Sequence, residues 1–225
     1  MRIKWYGHAC FRLEDGVSVV TDPYDPEVAG LEPVDEPADV VVASSLSDPY
    51  HSCFGMVPGD PRLVDALGVA KGDGVVEVEG VRIEAFPTME SVEHKAAPEE
   101  NAMYRIELGG LAVLHLGDVG NPLPEDHLER LRGRVDVLLA LAGGPPTMEL
   151  DDLQYAIEEI GARLVIPMHY RIPNLTIAGN ILPVEEFSSR FPEDAIIRAG
   201  SPQAEITPQT LPDRLRILIL EPACS

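Results

Sequence analysis

Four stretches of this chain are nearly unbroken apolar runs of strand length: residues 38–43 (ADVVVA), 135–141 (VDVLLAL), 163–168 (RLVIPM) and 215–220 (LRILIL). A half-solvated strand alternates apolar with polar residues, so runs like these demand cover on both faces. The chain must therefore build a sheet that is sandwiched. Shorter strand candidates precede and separate the runs, at residues 2–6, 10–13 and 17–21. Two hairpins are expected: residues 75–78 with 81–86 around Glu79-Gly80, and residues 102–108 with 111–116 around Gly109-Gly110. Helices are expected at residues 124–131, 149–160 and 183–191. The second of these has Leu150, Leu153, Ile157 and Ile160 at helical spacing and Thr147 as a candidate cap. Residues 44–60 read as irregular. Strands first and strand–helix alternation later imply sheets covered by helices. A two-sheet sandwich with outer helices fits, as do other α/β layouts, and the pattern alone does not choose among them.

Length and charge narrow the function. A chain of 225 residues is long enough for one large core and is read as a single domain over 1–225. Its formal net charge is −21, which repels nucleic-acid phosphates and anionic membranes, so neither is expected as a partner. Cys10, Cys53 and Cys224 form no CxxC pair and no disulfide framework, which points to a reducing compartment. With no signal-like apolar core at the start and no apolar run of about 20 residues, the expected location is the cytoplasm. There is no GxSxG elbow, no GxxxxGK[ST] loop and no GxGxxG after a strand.

The chemistry-bearing residues sit just after the predicted strands. They fall in Gly7-His8-Ala9-Cys10-Phe11, Thr21-Asp22-Pro23, His115-Leu116-Gly117-Asp118, Gly143-Gly144-Pro145-Pro146-Thr147-Met148 and Ile166-Pro167-Met168-His169-Tyr170. In this order, over residues 1–170, they closely resemble the UlaG-like, UPF0173-type branch of the metallo-β-lactamase superfamily. The resemblance implies an α/β fold, a four-layer αββα sandwich, with a metal site at the strand ends between the sheets. It also implies hydrolysis of a small-molecule ester, lactone or phosphoester by water activated on divalent metal, zinc or manganese.

The resemblance weakens at the main metal motif. Where the family carries His-x-His-x-Asp-His after a buried strand, this chain reads Ser45-Leu46-Ser47-Asp48-Pro49-Tyr50. Serine is a poor ligand for such metals, and proline offers no side-chain donor. Asp118 and His169 stand at retained ligand positions, and Glu90 replaces a family histidine after Phe86-Pro87-Thr88-Met89. A catalytic zinc needs about three protein ligands and an open position, which Asp118, His169 and Glu90 just supply. His51, Asp48 and His94 could also swing in. Asp118 is the candidate general base, and His8 stands near the substrate. Three functions stay open: a diverged member that has lost its two-metal centre and is weakly active or inactive, a hydrolase with one divalent metal, and a structural or oligomeric partner in which the old cleft is only packing. In the first, Asp118 and His169 persist as a hydrogen-bonded pair without metal. His115 and Cys10 are expected to be structural and His127 a solvated helix residue. A homo-oligomer is compatible with the long apolar strands.

Overall fold

The computed structural model describes residues 1–90, 101–177 and 179–223, so His94 and Cys224 lie outside the described residues. One sheet contains β1 (Arg2–Gly7), β2 (Cys10–Asp15), β3 (Val17–Thr21), β4 (Val40–Ala43), β5 (Arg62–Asp65) and β13 (Gln203–Glu205). Their order is β13-β1-β2-β3-β4-β5. The second contains β6 (Val75–Val78), β7 (Val81–Thr88), β8 (Asn101–Leu108), β9 (Leu111–His115), β10 (Val137–Leu141), β11 (Leu164–Met168), β12 (Ile196–Arg198) and β14 (Arg216–Ile219). Their order is β12-β14-β11-β10-β9-β8-β7-β6. This mixed α/β architecture has the two sheets expected.

Every residue of β4, β9, β10 and β11 is buried, as strands covered on both faces must be. β1–β2–β3 and β6–β7–β8–β9 are antiparallel meanders, while β3–β4–β5 and β9–β10–β11–β14–β12 pair in parallel. Parallel strands point their carboxyl ends the same way, so the loops after them gather on one face. That is the usual place for a ligand in an α/β sheet.

The helices are α1 (Pro26–Ala29), α2 (Ala66–Lys71), α3 (Glu125–Leu131), α4 (Leu150–Ile160) and α5 (Val184–Ser188). α4 buries Leu150, Leu153, Ala156, Ile157 and Ile160 as one stripe, and left-handed Gly161 ends it. Thr147 does not cap it. Its hydroxyl instead donates to the Gly144 carbonyl, and Glu149 occupies the cap position. β5 and α2 lie beyond what periodicity indicates. β5 is an edge strand with Leu63 exposed, and α2 has only six residues, too few to show a helical period. One continuous apolar core runs from Met1 to Leu220. Cys10 lies within it.

On the first sheet, acids and bases interlock. Lys4 donates to Glu36 at 2.6 Å, the Tyr6 hydroxyl donates to the same carboxylate at 3.0 Å, and Arg2 and Arg12 bind Glu14. The Lys4 hydrogen bond holds the Glu36 carboxyl below its usual pKa despite its partial burial. A depressed folded-state pKa stabilises above the unfolded value, about 4.3 for Glu, and that stabilisation is lost as pH falls through the folded value. Glu36→Gln should therefore lower stability at pH 7 by a few tenths to about 1 kcal/mol. In urea melts, its deficit from the parent chain should shrink as pH drops below about 4.3.

Candidate metal centre

Strand ends deliver the site. Asp22 follows β3, Ser44 follows β4, Asp118 follows β9 by way of Leu116-Gly117, His169 follows β11, and His8 lies in the β1–β2 turn. Three of these residues, His8, Asp22 and His169, have left-handed backbones, with φ of 49°, 40° and 52°. Non-glycine residues rarely adopt this conformation and need their surroundings to hold them there. The surroundings here are tight. The His169 amide donates to the His8 carbonyl at 3.0 Å, and the Trp5 indole donates to that same oxygen at 3.1 Å. Gly117, itself left-handed, packs against Asn101 and Ser44 with no room for a side chain.

Three imidazoles and one carboxylate converge above these turns. His51 Nε2 lies 3.6 Å from one oxygen of Asp118, and His169 Nε2 lies 3.2 Å from the other. The His8 ring centroid is 4.2 Å from that of His169 and 5.0 Å from that of His51. Two sets of ligand atoms each lie within 4.8 Å of one another: His8, His51 and His169, and Asp48, His51 and Asp118. The three histidines are buried, with His8 fully enclosed. Yet both nitrogens of His8, His51 Nε2, His169 Nδ1 and Asp118 Oδ1 have no hydrogen-bond partner. Buried polar atoms are normally satisfied, so this concentration of unsatisfied ones calls for a species that binds them.

Beneath the cluster, the Asp22 carboxylate accepts four hydrogen bonds. The Ser44 amide and hydroxyl donate at 2.8 and 2.7 Å, His51 Nδ1 at 2.8 Å and the Tyr104 hydroxyl at 2.9 Å. With Nδ1 committed to Asp22, Nε2 is the His51 nitrogen that faces Asp118. This is how a second carboxylate orients a metal-binding imidazole. Burial opposes the charge on Asp22, but the imidazoles of His115 and His51 outweigh it and keep the carboxyl ionised below its usual range. Burial likewise opposes a charged His51, and Asp118 and Asp22 overcome it, holding the pKa well above the ordinary value. Desolvation opposes the charge on the partly buried Asp118 as well, yet His51 and His169 hold its pKa well below the carboxylate range. His8 is pushed the other way. Burial first, then the neighbouring His169 and His51, keep it neutral.

The donor set fits a divalent cation. Ligands about 2.05 Å from a tetrahedral zinc stand about 3.3 Å from one another. The 3.2 and 3.6 Å separations, each to a different oxygen of Asp118, are individually close to that edge. Imidazole with carboxylate is a donor set suited to zinc and manganese.

Among the residues expected from sequence, Asp118, His169 and His8 come together here. Glu90 joins neither set of clustered ligand atoms among the described residues. His51, set down in the sequence as one of several loop residues that could swing in, holds the central place, with Asp48 beside it. The loop between Ser47 and His51 carries the histidine one residue later than the family spacing, past Tyr50. Ser45 and Ser47 bond to each other through their hydroxyls at 2.9 Å. His115 is structural, as expected. Its Nε2 donates to the Ala9 carbonyl at 2.8 Å, and its Nδ1 accepts from the Gly117 amide at 2.9 Å. His127 departs from expectation. It is on α3 but buried, packed against Phe86 with a ring separation of 5.6 Å.

Two mixed sheets with an imidazole–carboxylate cluster at the strand ends define a metallo-β-lactamase-type fold. Residues 2–169 match the model of the Beta-lactamase superfamily domain. The chain is similar to a UPF0173 protein of Pyrococcus abyssi, 32% identical over 185 residues, covering 76% of this chain and 83% of that one. It is also similar to a UPF0173 metal-dependent hydrolase of Methanosphaerula palustris, 31% identical over 227 residues, covering 92% and 97%. A solved Thermotoga maritima structure, assigned to the Zn-dependent hydrolases of the metallo-beta-lactamase superfamily, superposes with a TM-score of 0.76. That pair is 31% identical and covers 98% of both chains. The chain belongs to this superfamily, in its UPF0173 metal-dependent hydrolase branch.

Gly143 backs the site. A Cβ there would drive into the His169 carbonyl oxygen. Gly143→Ala should cost about 1–3 kcal/mol of stability and displace His169. Thermal melting and the paired shift of the His169 ring resonances would check it; an unchanged melt would refute it.

Proposed function

We propose that this protein is a hydrolase that works with one divalent metal, zinc or manganese, held by Asp48, His51, Asp118 and His169. The carrying observation is the convergence of His51 and His169 on opposite oxygens of Asp118, with buried ligand atoms left without partners. Ser45 and Ser47 stand where the family resemblance puts histidines of the other metal, and their hydroxyls bond to each other. Divergence has thus removed half of a two-metal site and kept the other half. This supports the one-metal reading over complete loss.

A bound metal would supply a hydroxide near neutral pH and polarise the ester, lactone or phosphoester bond under attack. The chain's own residues do the rest. Asp22 fixes the tautomer and direction of His51. Asp118, ionised and facing both His51 and His169, would hold the metal and be the carboxylate nearest a water there. His8, neutral and unpartnered at both nitrogens, donates an N–H to the substrate oxygen that gains charge. The protein's strong negative charge favours a neutral small-molecule substrate over a polyanion. Among the described residues no helix is long and apolar enough to cross a membrane.

Elemental analysis of protein purified without metal-affinity resin should find about one equivalent of metal. Asp118→Ala and His51→Ala should each drop to a small fraction of it, and metal content unchanged by both would refute the assignment. His8→Ala should keep the metal and lose about 100-fold in turnover of a model ester. The pair Ser45→His and Ser47→His should raise zinc affinity or add a second equivalent, read by competition with a chelating dye.

A further inference from the structure

The loop that carries Asp118 continues into the wall of a second cavity. Val119, Asn121, Leu123 and Pro124 form one side and Pro87 and Met89 the other, around a pocket of about 220 Å³. Its walls are braced: the Gly120 amide donates to the Met89 carbonyl at 2.9 Å, and the Met148 amide donates to the Val119 carbonyl at 2.8 Å. The lining is apolar and, among the described residues, holds no charged side chain. Thr88 also borders it, but its hydroxyl is taken, accepting from Asn101 at 2.7 Å. The Asn121 side-chain amide is different. Its Nδ2 is buried and has no hydrogen-bond partner. A buried donor left unmet is a standing cost to the fold, and a ligand oxygen would remove it.

We infer that this pocket receives the non-reacting end of the substrate: a short, neutral, apolar arm bearing one oxygen acceptor for Asn121. The inference rests on the hydrolase reading for the word substrate, while the pocket itself stands on its own geometry. Val119 directly follows Asp118, so a molecule reacting at Asp118 can place an arm here. The size limits the arm. A cavity of about 150 Å³ accepts benzene, so this one accepts roughly six to eight heavy atoms. The described lining residues offer no charged partner, and a buried unpaired charge is costly, so the arm proposed is neutral. A purely hydrocarbon arm would fill the space but leave the Asn121 amide unmet.

The test uses the metal-free full chain and 2-hexanone, a neutral six-carbon probe with one acceptor oxygen. In a titration followed by methyl NMR, the probe should shift Met89 and Leu123 saturably. Asn121→Asp, which has the same shape but loses the donor, should weaken binding at least fivefold. Leu123→Trp, which fills the cavity, should abolish it. Circular dichroism should report both variants as folded; if the tryptophan variant does not fold, Asn121→Asp decides alone. No saturable shift in the parent chain, or equal affinity in Asn121→Asp, overturns the inference. A kinetic arm separates it from the hydrolase reading. Zinc-loaded protein should favour the p-nitrophenyl ester of 5-oxohexanoate over that of hexanoate by at least fivefold, and Asn121→Asp should remove that preference. Turnover with no such preference sinks the pocket and keeps the hydrolase. Asn121-dependent ketone binding in a protein that takes up no metal does the reverse.

Discussion

The buried carboxylate of Asp22 is the constraint on which the site depends. It sits at the end of β3 and accepts from Ser44 at the end of β4, from His51 in the following loop and from Tyr104 on β8 of the opposite sheet. One residue thereby ties two neighbouring strands, one irregular loop and the second sheet to a common point. An ionised carboxylate with no exposure is tolerable only when its oxygens are fully supplied with donors. The loop after β4 must therefore follow a path that brings His51 inward. Asp22 itself adopts a left-handed backbone to meet these donors, so local strain is exchanged for the alignment of the cluster above.

That alignment keeps an imidazole–carboxylate cluster together although serines stand at two leading positions of the motif. A metal site is a set of directed lone pairs, and direction is set from behind. His51 is held through Nδ1 by Asp22, Asp118 is placed by its amide bonding to Asn101 at 2.8 Å, and His169 is held by a strained turn against His8. Each support comes from a different strand end, and the parallel order of the sheets puts those ends on one face. The apolar pocket lined by Val119 begins one residue after Asp118.

Sequence reading captured the fully buried strands because their signal is continuous and local: β4, β10 and β11 are apolar at every position. It recovered α4 from a single stripe of leucines and isoleucines. It passed over β5 and α2, where an exposed leucine and a six-residue helix leave no periodic trace. Asp118 and His169 were legible because each stands in a short motif that resembles the family's, just after an apolar strand. Glu90 follows β7 in the same manner, yet falls in neither ligand set among the described residues, because position after a strand does not dictate where a side chain points.

The sequence alone determined the buried strands and the loops that carry Asp118 and His169, since burial of strands and the loops that end them are encoded by neighbours; the two-sheet layout came with the family resemblance. Tertiary structure alone decided that His51 joins Asp118 and His169, that Asp22, itself held by Tyr104, bonds to it, that His127 is buried and that Asn121 lies unmet in an apolar wall. Each of these depends on contacts between residues far apart in the chain: Asp22 and Tyr104 are 82 positions apart. In the Ser45–His51 loop the hydrogen bonds of serine, aspartate and tyrosine side chains, rather than a repeating period, set the chain's direction, and only the closed sandwich supplies the partners that choose among the paths.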